Sequence, residues 1–350
     1  FRDACPSMEP EFAVCFEARL SEELETAGVP VHRLGAVRTR QPLSVWQGRR
    51  RLSELLRRRQ FDFVICHMAW PHAIFGPVVR AARLPLIDWR HDAGDGRHWL
   101  ERWARLTPPD LTICNSRFTE GALKTFAPDF RTEILYYPVQ PLAGSFSDDD
   151  RRRVRAGMGA TPETAVIIQV SRMEAWKGHR LHLRALSKLR DRRDWVCWMV
   201  GGTQRPHEVR YMEQLRGIAA KLGIDDRVIF LGQRADVPRL LAAADIFCQP
   251  NTGPEPFGIV FIEALYTGLP VVATAIGGDA EIVDDSCGVL VVPNSEEGLA
   301  RALRALIADP QLRERLASAG PNRASGFCSP PIQMRRLYDA LKAHTSADGG

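Results

Sequence analysis

Two glutamates eight positions apart, Glu255 and Glu263, stand in the segment Pro250-Asn-Thr-Gly-Pro-Glu255-Pro-Phe-Gly258-Ile-Val-Phe-Ile-Glu263-Ala-Leu. An apolar run precedes this segment, a Pro/Gly turn opens it, and an apolar stretch of helical character closes it. Pro256 suits the first helical position, where a missing N–H costs nothing. Gly258 leaves the first turn bare, so a phosphate can reach the free N–H groups and the positive end of the helix dipole. Glu255 then lies just ahead of the helix and Glu263 about two turns along it. At 1.5 Å per residue their axial separation is on the order of 10 Å. That is the span from a sugar ring, across a diphosphate, to a ribose. Glu263 is suited to accept hydrogen bonds from ribose hydroxyls, and Glu255 to hold the hydroxyls of a sugar. The plain alternative is a pair of glutamates that cap and solvate one buried helix.

Three other segments favour the first reading. Val170-Ser-Arg172-Met-Glu-Ala-Trp-Lys177-Gly178 puts two cations where a diphosphate needs neutralising once water is excluded. Met199-Val-Gly201-Gly202-Thr and Ala275-Ile-Gly277-Gly278 end apolar runs with glycines that let a ligand pass close to the backbone. Each is a weak signal alone, since strand-end cations are usually solvated. Four strand ends converging on one crevice are far more specific.

The elements that must bring them there can be read from the alternation of short apolar runs with longer amphipathic stretches, which signals strand–helix units and parallel sheets. In the first half the predicted strands are 11–16, 31–34, 62–67, 84–89, 111–114 and 133–136, with helices at 44–59 and 117–126 among those between them. Residues 138–150 break into Pro, Gly, Ser and an acidic triplet and read as a linker leading into a short helix. Strands at 165–170, 195–200, 228–231, 246–249, 270–274 and 288–292 follow, with helices at 178–190, 207–222, 238–243, 258–267 and 296–308. An amphipathic helix over 332–344 and a Ser-Ala-Asp-Gly-Gly tail close the chain. The expected fold is α/β, two doubly wound Rossmann-like domains facing a cleft, with ligands at the carboxyl ends of the strands. The opening residues Phe-Arg-Asp-Ala-Cys-Pro-Ser-Met-Glu-Pro lack the apolar strand and glycine-rich turn that normally start such a domain, so the first half reads as cut at its front edge.

Length and composition agree with two globular domains: 350 residues, 45% apolar, 25% charged. No run reaches the roughly 18 apolar residues that cross a bilayer, and no signal peptide opens the chain. The eight cysteines (Cys5, Cys15, Cys66, Cys114, Cys197, Cys248, Cys287 and Cys328) include no CxxC pair and lie mostly in apolar stretches, as reduced thiols in a cytoplasmic protein do. No cluster of histidines and cysteines calls for a metal. The net charge of +5 rests on arginine, only five of the 47 basic residues being lysine. The densest basic stretch, residues 47–59, reads as one helix whose arginines form either a solvated face or a contact with anionic lipid headgroups. Nucleic acid is disfavoured, because no recognition motif accompanies the charge.

On these residues the second half resembles the donor domain of the retaining group 1 (family 4) glycosyltransferases of the GT-B fold. The resemblance covers about 160–310. It rests on Ser171-Arg172…Lys177-Gly178, Gly201-Gly202, Val228-Ile-Phe-Leu-Gly232…Val237-Pro-Arg-Leu-Leu-Ala-Ala-Ala-Asp245, Glu255 and Glu263 at the E-x7-E spacing, Gly268-Leu-Pro-Val-Val-Ala, Gly277-Gly278 and Gly288-Val-Leu-Val-Val-Pro293. The first half is similar to the acceptor domain more faintly, through Ile87-Asp-Trp-Arg-His91-Asp92 and Ile113-Cys-Asn115-Ser116. The family's opening strand and glycine-rich loop have no counterpart.

The resemblance implies an acceptor-side domain over 1–144, a nucleotide-sugar domain over 145–330, and a closing helix at 331–350 that returns to the first. It implies transfer of a glycosyl group from a UDP- or GDP-sugar to a hydroxyl of a carbohydrate or lipid-linked acceptor, with retained configuration, without cofactor or metal, in glycan, polysaccharide or glycolipid assembly. Arg172 and Lys177 would stabilise the departing diphosphate, helped by the helix start at Phe257, Gly258 and Ile259. Gly202 would adjoin the donor, Glu255 would orient its sugar and Glu263 its ribose. His91 would support the oxocarbenium-like centre, and His67 and Asn115 would serve the acceptor side. The cellular place implied is the cytoplasm, with peripheral contact at the inner face of the plasma membrane. His72, His98, His179, His182 and His207 read as surface or helix-face residues, and Trp176, Trp195 and Trp198 as packing. A non-catalytic nucleotide-sugar-binding module, or an epimerase or phosphorylase of the same fold, are the alternatives.

Overall fold

The computed structural model describes residues 7–141 and 146–345. Cys5, part of the expected linker (142–145) and the expected tail (346–350) lie outside the described residues. The chain divides into two compact units, one running to Pro138 and resuming at Pro330, the other spanning Val139–Ser329.

The first unit begins with β1 (Phe12–Val14), α1 (Arg19–Thr26), β2 (Val31–Arg33) and α2 (Pro42–Arg58). It continues with β3 (Val64–His67), α3 (Ala69–Ala81), β4 (Leu86–Arg90), α4 (Trp99–Ala104), β5 (Leu111–Cys114), α5 (Arg117–Lys124) and β6 (Thr132–Ile134). Its strands fall into two parallel sheets, β1 with β2 and the series β3-β4-β5-β6. In the larger one Val64 pairs Leu86, and Ile87 pairs Leu111. Strands β4 and β5 are buried at every position, the mark of a parallel sheet covered on both faces. The basic helix α2 uses some of its charge internally: Arg49 donates to the Ile74 carbonyl at 2.6 Å, Arg51 to that of Leu34 at 3.0 Å, and Arg50 pairs Glu54 at 2.9 Å.

The second unit comprises α6 (Asp148–Ala156), β7 (Ala165–Val170), a 3-10 turn at Ala175–Lys177, α7 (His179–Ser187), β8 (Trp195–Val200), α8 (Pro206–Leu222), β9 (Val228–Gly232) and α9 (Val237–Ala243). Then come β10 (Ile246–Gln249), α10 (Ile259–Tyr266), β11 (Val271–Thr274), α11 (Asp279–Ile282), β12 (Gly288–Val291), α12 (Glu296–Ala308) and α13 (Pro310–Cys328). The six strands form one parallel sheet in the order β12-β11-β10-β7-β8-β9. The chain winds outward from β7 in one direction, returns, and winds outward from β10 in the other. The boundary between β7 and β10 is therefore the topological switch point, where connections leave a crevice outside the strand ends. Asp245 fastens that boundary, accepting from the Val166 N–H at 2.7 Å, Arg155 at 2.8 Å and Arg151 at 2.6 Å.

Helix α13 has no counterpart among the elements expected from the sequence, and it runs through Gly320-Pro321. Gly320 lies against the Leu265 carbonyl of α10, so close packing between two helices outweighs the bond that a proline forfeits. The last helix, α14 (Pro330–Thr345), belongs to the first unit. Its Met334, Leu337 and Leu341 are buried against Ile87, Trp89, Leu111 and Ile113, each side chain contributing about 1.5–3 kcal/mol by burial. Among the described residues no helix is long and apolar enough to cross a membrane.

Candidate functional site

At the switch point the carboxyl ends of β7 and β10 bring together groups far apart in sequence. Beyond β7 the chain passes Arg172, which pairs Glu174 at 3.1 Å with its side chain about half exposed, and turns through Ala175–Lys177. Gly178 takes the left-handed conformation, φ +76°, and its bare Cα rests against the Pro250 carbonyl beyond β10, where a side-chain carbon would collide. Trp176 is held by its indole N–H to Glu174 at 2.9 Å, and its carbonyl accepts from the Thr252 N–H at 2.8 Å. The buried Lys177 ammonium lies 3.8 Å above the Trp176 ring and forms an ion pair with Glu255. Both side chains are nearly closed to solvent, 11% and 13% exposed. Trp176 thus packs, as its sequence context suggested, and also steers the lysine.

Glu255 is placed by its own backbone. It bridges Gly277 in parallel, and its carbonyl accepts from the Gly278 N–H at 2.6 Å. Gly258 has φ +87° and caps α10, which starts at Ile259. Two expectations are corrected by this. Pro256 is not the first helical residue, because the left-handed Gly258 interrupts the chain after the extended Glu255–Phe257 loop. Glu263 is the fifth residue of α10, little more than one turn along it rather than two. Its carboxylate has no hydrogen-bond or ion-pair partner among the described residues, and partial burial pushes it above the usual carboxylate range.

Beneath these groups lie buried polar side chains that no motif or spacing marks. Gln169 of β7 donates to the Lys177 carbonyl at 2.8 Å and bonds His182 at 2.8 Å, while Ser171 bonds His179 at 3.1 Å. Burial pushes His179 down to about 4 and His182 to about 3, so both imidazoles are neutral. Of the expectation that His72, His179 and His182 are surface or helix-face residues, the helix-face part holds and the surface part does not: all three are on helices and 0–1% exposed, because those helices are covered on the face turned to the sheet. His98 and His207 are exposed, as expected. Gly201 has no room for a side chain because the Ser171 carbonyl fills it, and Gly202 lies against Gln233.

On the other side, Gln249 of β10 donates to Asn251 at 3.2 Å, and Asn251 donates to Asp279 at 3.0 Å. Burial, and secondarily the charge of Glu255, raises Asp279 to about 8, against the pull of its bond from Asn251. A folded-state value above the unfolded one near 3.8 means that this group's contribution is full below pH 3.8 and is lost as pH rises through about 8. Asp279→Asn keeps the shape without the charge. The variant should melt with the native protein near pH 4 and above it at pH 7–8; coincident melting curves at pH 8 would refute the assignment.

In the first unit, His67, His91 and Asn115 come together at the ends of β3, β4 and β5. Asn115 donates to the His91 carbonyl at 3.3 Å and to the Tyr137 hydroxyl at 3.0 Å, its own oxygen accepting from Thr119 at 2.7 Å. Tyr137 and His91 Nδ1 are 2.5 Å apart, and His91 Nε2 and His67 Nδ1 are 2.8 Å apart. Asn115 and His91 Nδ1 thus share the Tyr137 hydroxyl, which holds the His91 ring in place. The rings of Trp89, His67, His91 and Tyr137 are stacked, with centroids 5.1–5.8 Å apart. Burial lowers the basicity of His91. Tyr137 was not anticipated, since a lone tyrosine after a short strand carries no spacing signal. Among the described residues no group of three or more His, Cys, Asp or Glu is arranged to hold a metal.

Comparison with known proteins adds the following. The family described as glycosyl transferases group 1 matches residues 150–323, and Glycosyltransferase Family 4 matches residues 9–141. The chain is similar to the GDP-mannose-dependent alpha-(1-6)-phosphatidylinositol monomannoside mannosyltransferase of Mycolicibacterium smegmatis, 29% identical over 85% of this chain and 80% of the relative. It is similar to the D-inositol 3-phosphate glycosyltransferase of Actinosynnema mirum, 32% identical over 56% of this chain but only 48% of the relative. Among solved structures it is similar to Anabaena Alr3699/HepE in complex with UDP, with TM-score 0.86 and 25% identity over 97% of this chain and 93% of that one. The complex of the same protein with UDP-glucose matches with TM-score 0.82 and 26% identity over 95% and 91%.

Proposed function

The chain belongs to the group 1 glycosyl transferases, and from that premise we propose that it transfers a sugar from a nucleoside-diphosphate sugar to an acceptor hydroxyl with retained configuration. The observation that carries this reading is the meeting of Lys177 and Glu255 at the switch point between β7 and β10. A diphosphate entering there exchanges the Lys177–Glu255 pair for Lys177–phosphate contact. That leaves the Glu255 carboxylate to accept from sugar hydroxyls. Arg172 and the N–H groups opening α10 add positive potential as the leaving diphosphate gains charge. Protein cations thus take the part that a metal plays elsewhere, and no cofactor enters the proposed reaction.

Glu263, partnerless and partly desolvated, is assigned the ribose, whose two hydroxyls would satisfy it. The second unit is assigned the donor and the first the acceptor, with His91, His67 and Asn115 on the acceptor side. His91 is assigned the anomeric centre, where a neutral ring fixed by Tyr137 stabilises positive charge without adding its own. The relatives named for GDP-mannose and phosphatidylinositol, and the neighbour bound to UDP and UDP-glucose, support a nucleotide-sugar donor and a carbohydrate or lipid-linked acceptor. They leave the base open between UDP and GDP. Reaction in the cytoplasm, at the inner membrane face when the acceptor is lipid-linked, is the corresponding location.

Thermal denaturation against a panel of UDP- and GDP-sugars tests the donor site, because a ligand specific to the native state raises its melting temperature. One nucleotide sugar should give a clear shift that Glu263→Ala removes. A panel without any shift would end the donor-site reading.

A further inference from the structure

The first unit contains a cavity of about 400 Å³ that the donor chemistry leaves unused. Phe16 follows β1, the stretch Arg38–Gln41 follows β2, and Trp70 follows β3 at the start of α3. Segments beyond the carboxyl ends of the parallel pair β1–β2 and of β3 in the neighbouring sheet thus meet in one place, the kind of end where α/β sheets bind ligands. Its walls are aromatic: the Phe16 and Trp70 rings lie 6.0 Å apart, and Phe16 is 51% exposed. Its floor is cationic. Arg38 and Arg40 line it, both exposed, and neither guanidinium has a hydrogen-bond or ion-pair partner among the described residues. Elsewhere the arginines are commonly engaged: Arg49 and Arg51 by carbonyls, Arg33, Arg50 and Arg59 by glutamates. Gln41 caps α2 without a side-chain hydrogen bond; Pro42 has no N–H, and the Ser44 and Val45 N–H groups donate to the Gln41 carbonyl, so the start of this 17-residue helix contributes the positive end of its dipole. Among the described residues no carboxylate lines the cavity.

We propose that this cavity binds the phosphate group of the acceptor, with Arg38 and Arg40 on the phosphate and Phe16 and Trp70 against the body that carries it. Naming the acceptor as a phosphate ester rests on the transferase reading above; the anion site itself does not. Two unpaired guanidiniums beside the positive end of a helix dipole match a dianionic or diester phosphate, which arginine grips in bidentate fashion. Aromatic walls tilted 41° to each other suit the apolar face of a sugar or cyclitol ring. The same chemistry is offered by a soluble sugar phosphate and by a phospholipid headgroup.

Calorimetric titration with inorganic phosphate and with glucose 6-phosphate, and co-sedimentation with phosphatidylglycerol against phosphatidylcholine vesicles, test the proposal on the full chain. The double variant R38Q/R40Q should weaken binding at least tenfold. A second double variant, R57Q/R58Q, removes the same charge from the exposed end of α2 and should bind as the native protein does. Preference for glucose 6-phosphate over inorganic phosphate identifies a soluble acceptor; binding only to phosphatidylglycerol vesicles identifies a headgroup. Absence of all these interactions overturns the proposal. So does equal weakening in both double variants, which would reduce the effect to diffuse charge, or unchanged binding in R38Q/R40Q. Nucleotide-sugar thermal shifts recorded on the same variants should stay at the native value. A lost donor shift with phosphate binding intact would therefore count against the donor site alone.

Discussion

Lys177→Met should lower transfer from the preferred nucleotide sugar by about 10²–10³-fold in kcat, the loss typical of removing one preorganised group from a charge that grows in the transition state. The geometry makes Lys177 unusually dependent on its surroundings. It is buried, held over the Trp176 ring and paired to Glu255. Taking away the ammonium also leaves a nearly closed carboxylate without its partner, a penalty on the order of 3 kcal/mol. The two effects separate in Lys177→Met combined with Glu255→Gln. That double variant removes the charge pair as a whole and should recover much of the thermal stability while remaining inactive. Steady-state kinetics beside thermal denaturation reads both quantities. A Lys177→Met enzyme within threefold of native kcat would dismiss the lysine from the chemistry, and a double variant that regained activity would dismiss the pair.

Gly178→Ala should be the most damaging methyl group that can be added to the second unit. The left-handed φ of +76° costs an alanine about 1–2 kcal/mol. The new carbon would also meet the Pro250 carbonyl, which is backbone and tied to the end of β10, so it has little freedom to retreat. Together these effects come to about 3 kcal/mol or more, roughly 6–12 °C in melting temperature for a unit of this size. Because the collision pushes β7 and β10 apart, donor affinity should fall with stability. Gly217→Ala is the matched control: Gly217 lies within α8 facing open space, and alanine there should be neutral or stabilising by up to about 1 kcal/mol. Similar melting temperatures for the two variants would mean that the turn at Gly178 tolerates a side chain.

Much of the scaffold could be read from residue types alone. Strands β5, β7, β8 and β10 and helix α12 have the ends that apolar runs and polar flanks indicate, because strands buried on both faces leave an unbroken apolar signature. The candidate site residues Arg172, Lys177, Glu255 and Glu263 could be picked out because each follows a strand end or sits at a fixed step along a helix. What was not legible depends on partners distant in sequence. The helical course through Gly320-Pro321 is set by the Leu265 carbonyl. The burial of His179 and His182 is set by Gln169 and Ser171. The helix start at Ile259 rather than Pro256 is set by the pairing of Glu255 with Gly277 and Gly278. Asn251, Asp279 and Tyr137 have no spacing that marks them. The separation of the first unit's strands into two sheets was equally silent, since alternation reports strands and not their neighbours.

The order of strands in the second unit also fixes when its site can exist during folding. Lys177 and Glu255 are 78 positions apart, and the strands that carry them are sheet neighbours although β8 and β9 intervene in the chain. Closing so long a segment is entropically slow, as non-local parallel pairings are. The β7-β8-β9 half can in principle form from local crossovers, yet it holds only the cations. The proposed donor site is completed when β10 docks beside β7, the same step that seats Asp245 on Val166. On the proposed reading, nucleotide-sugar binding reports the closing of the sheet, and a partly folded second unit is blind to its ligand.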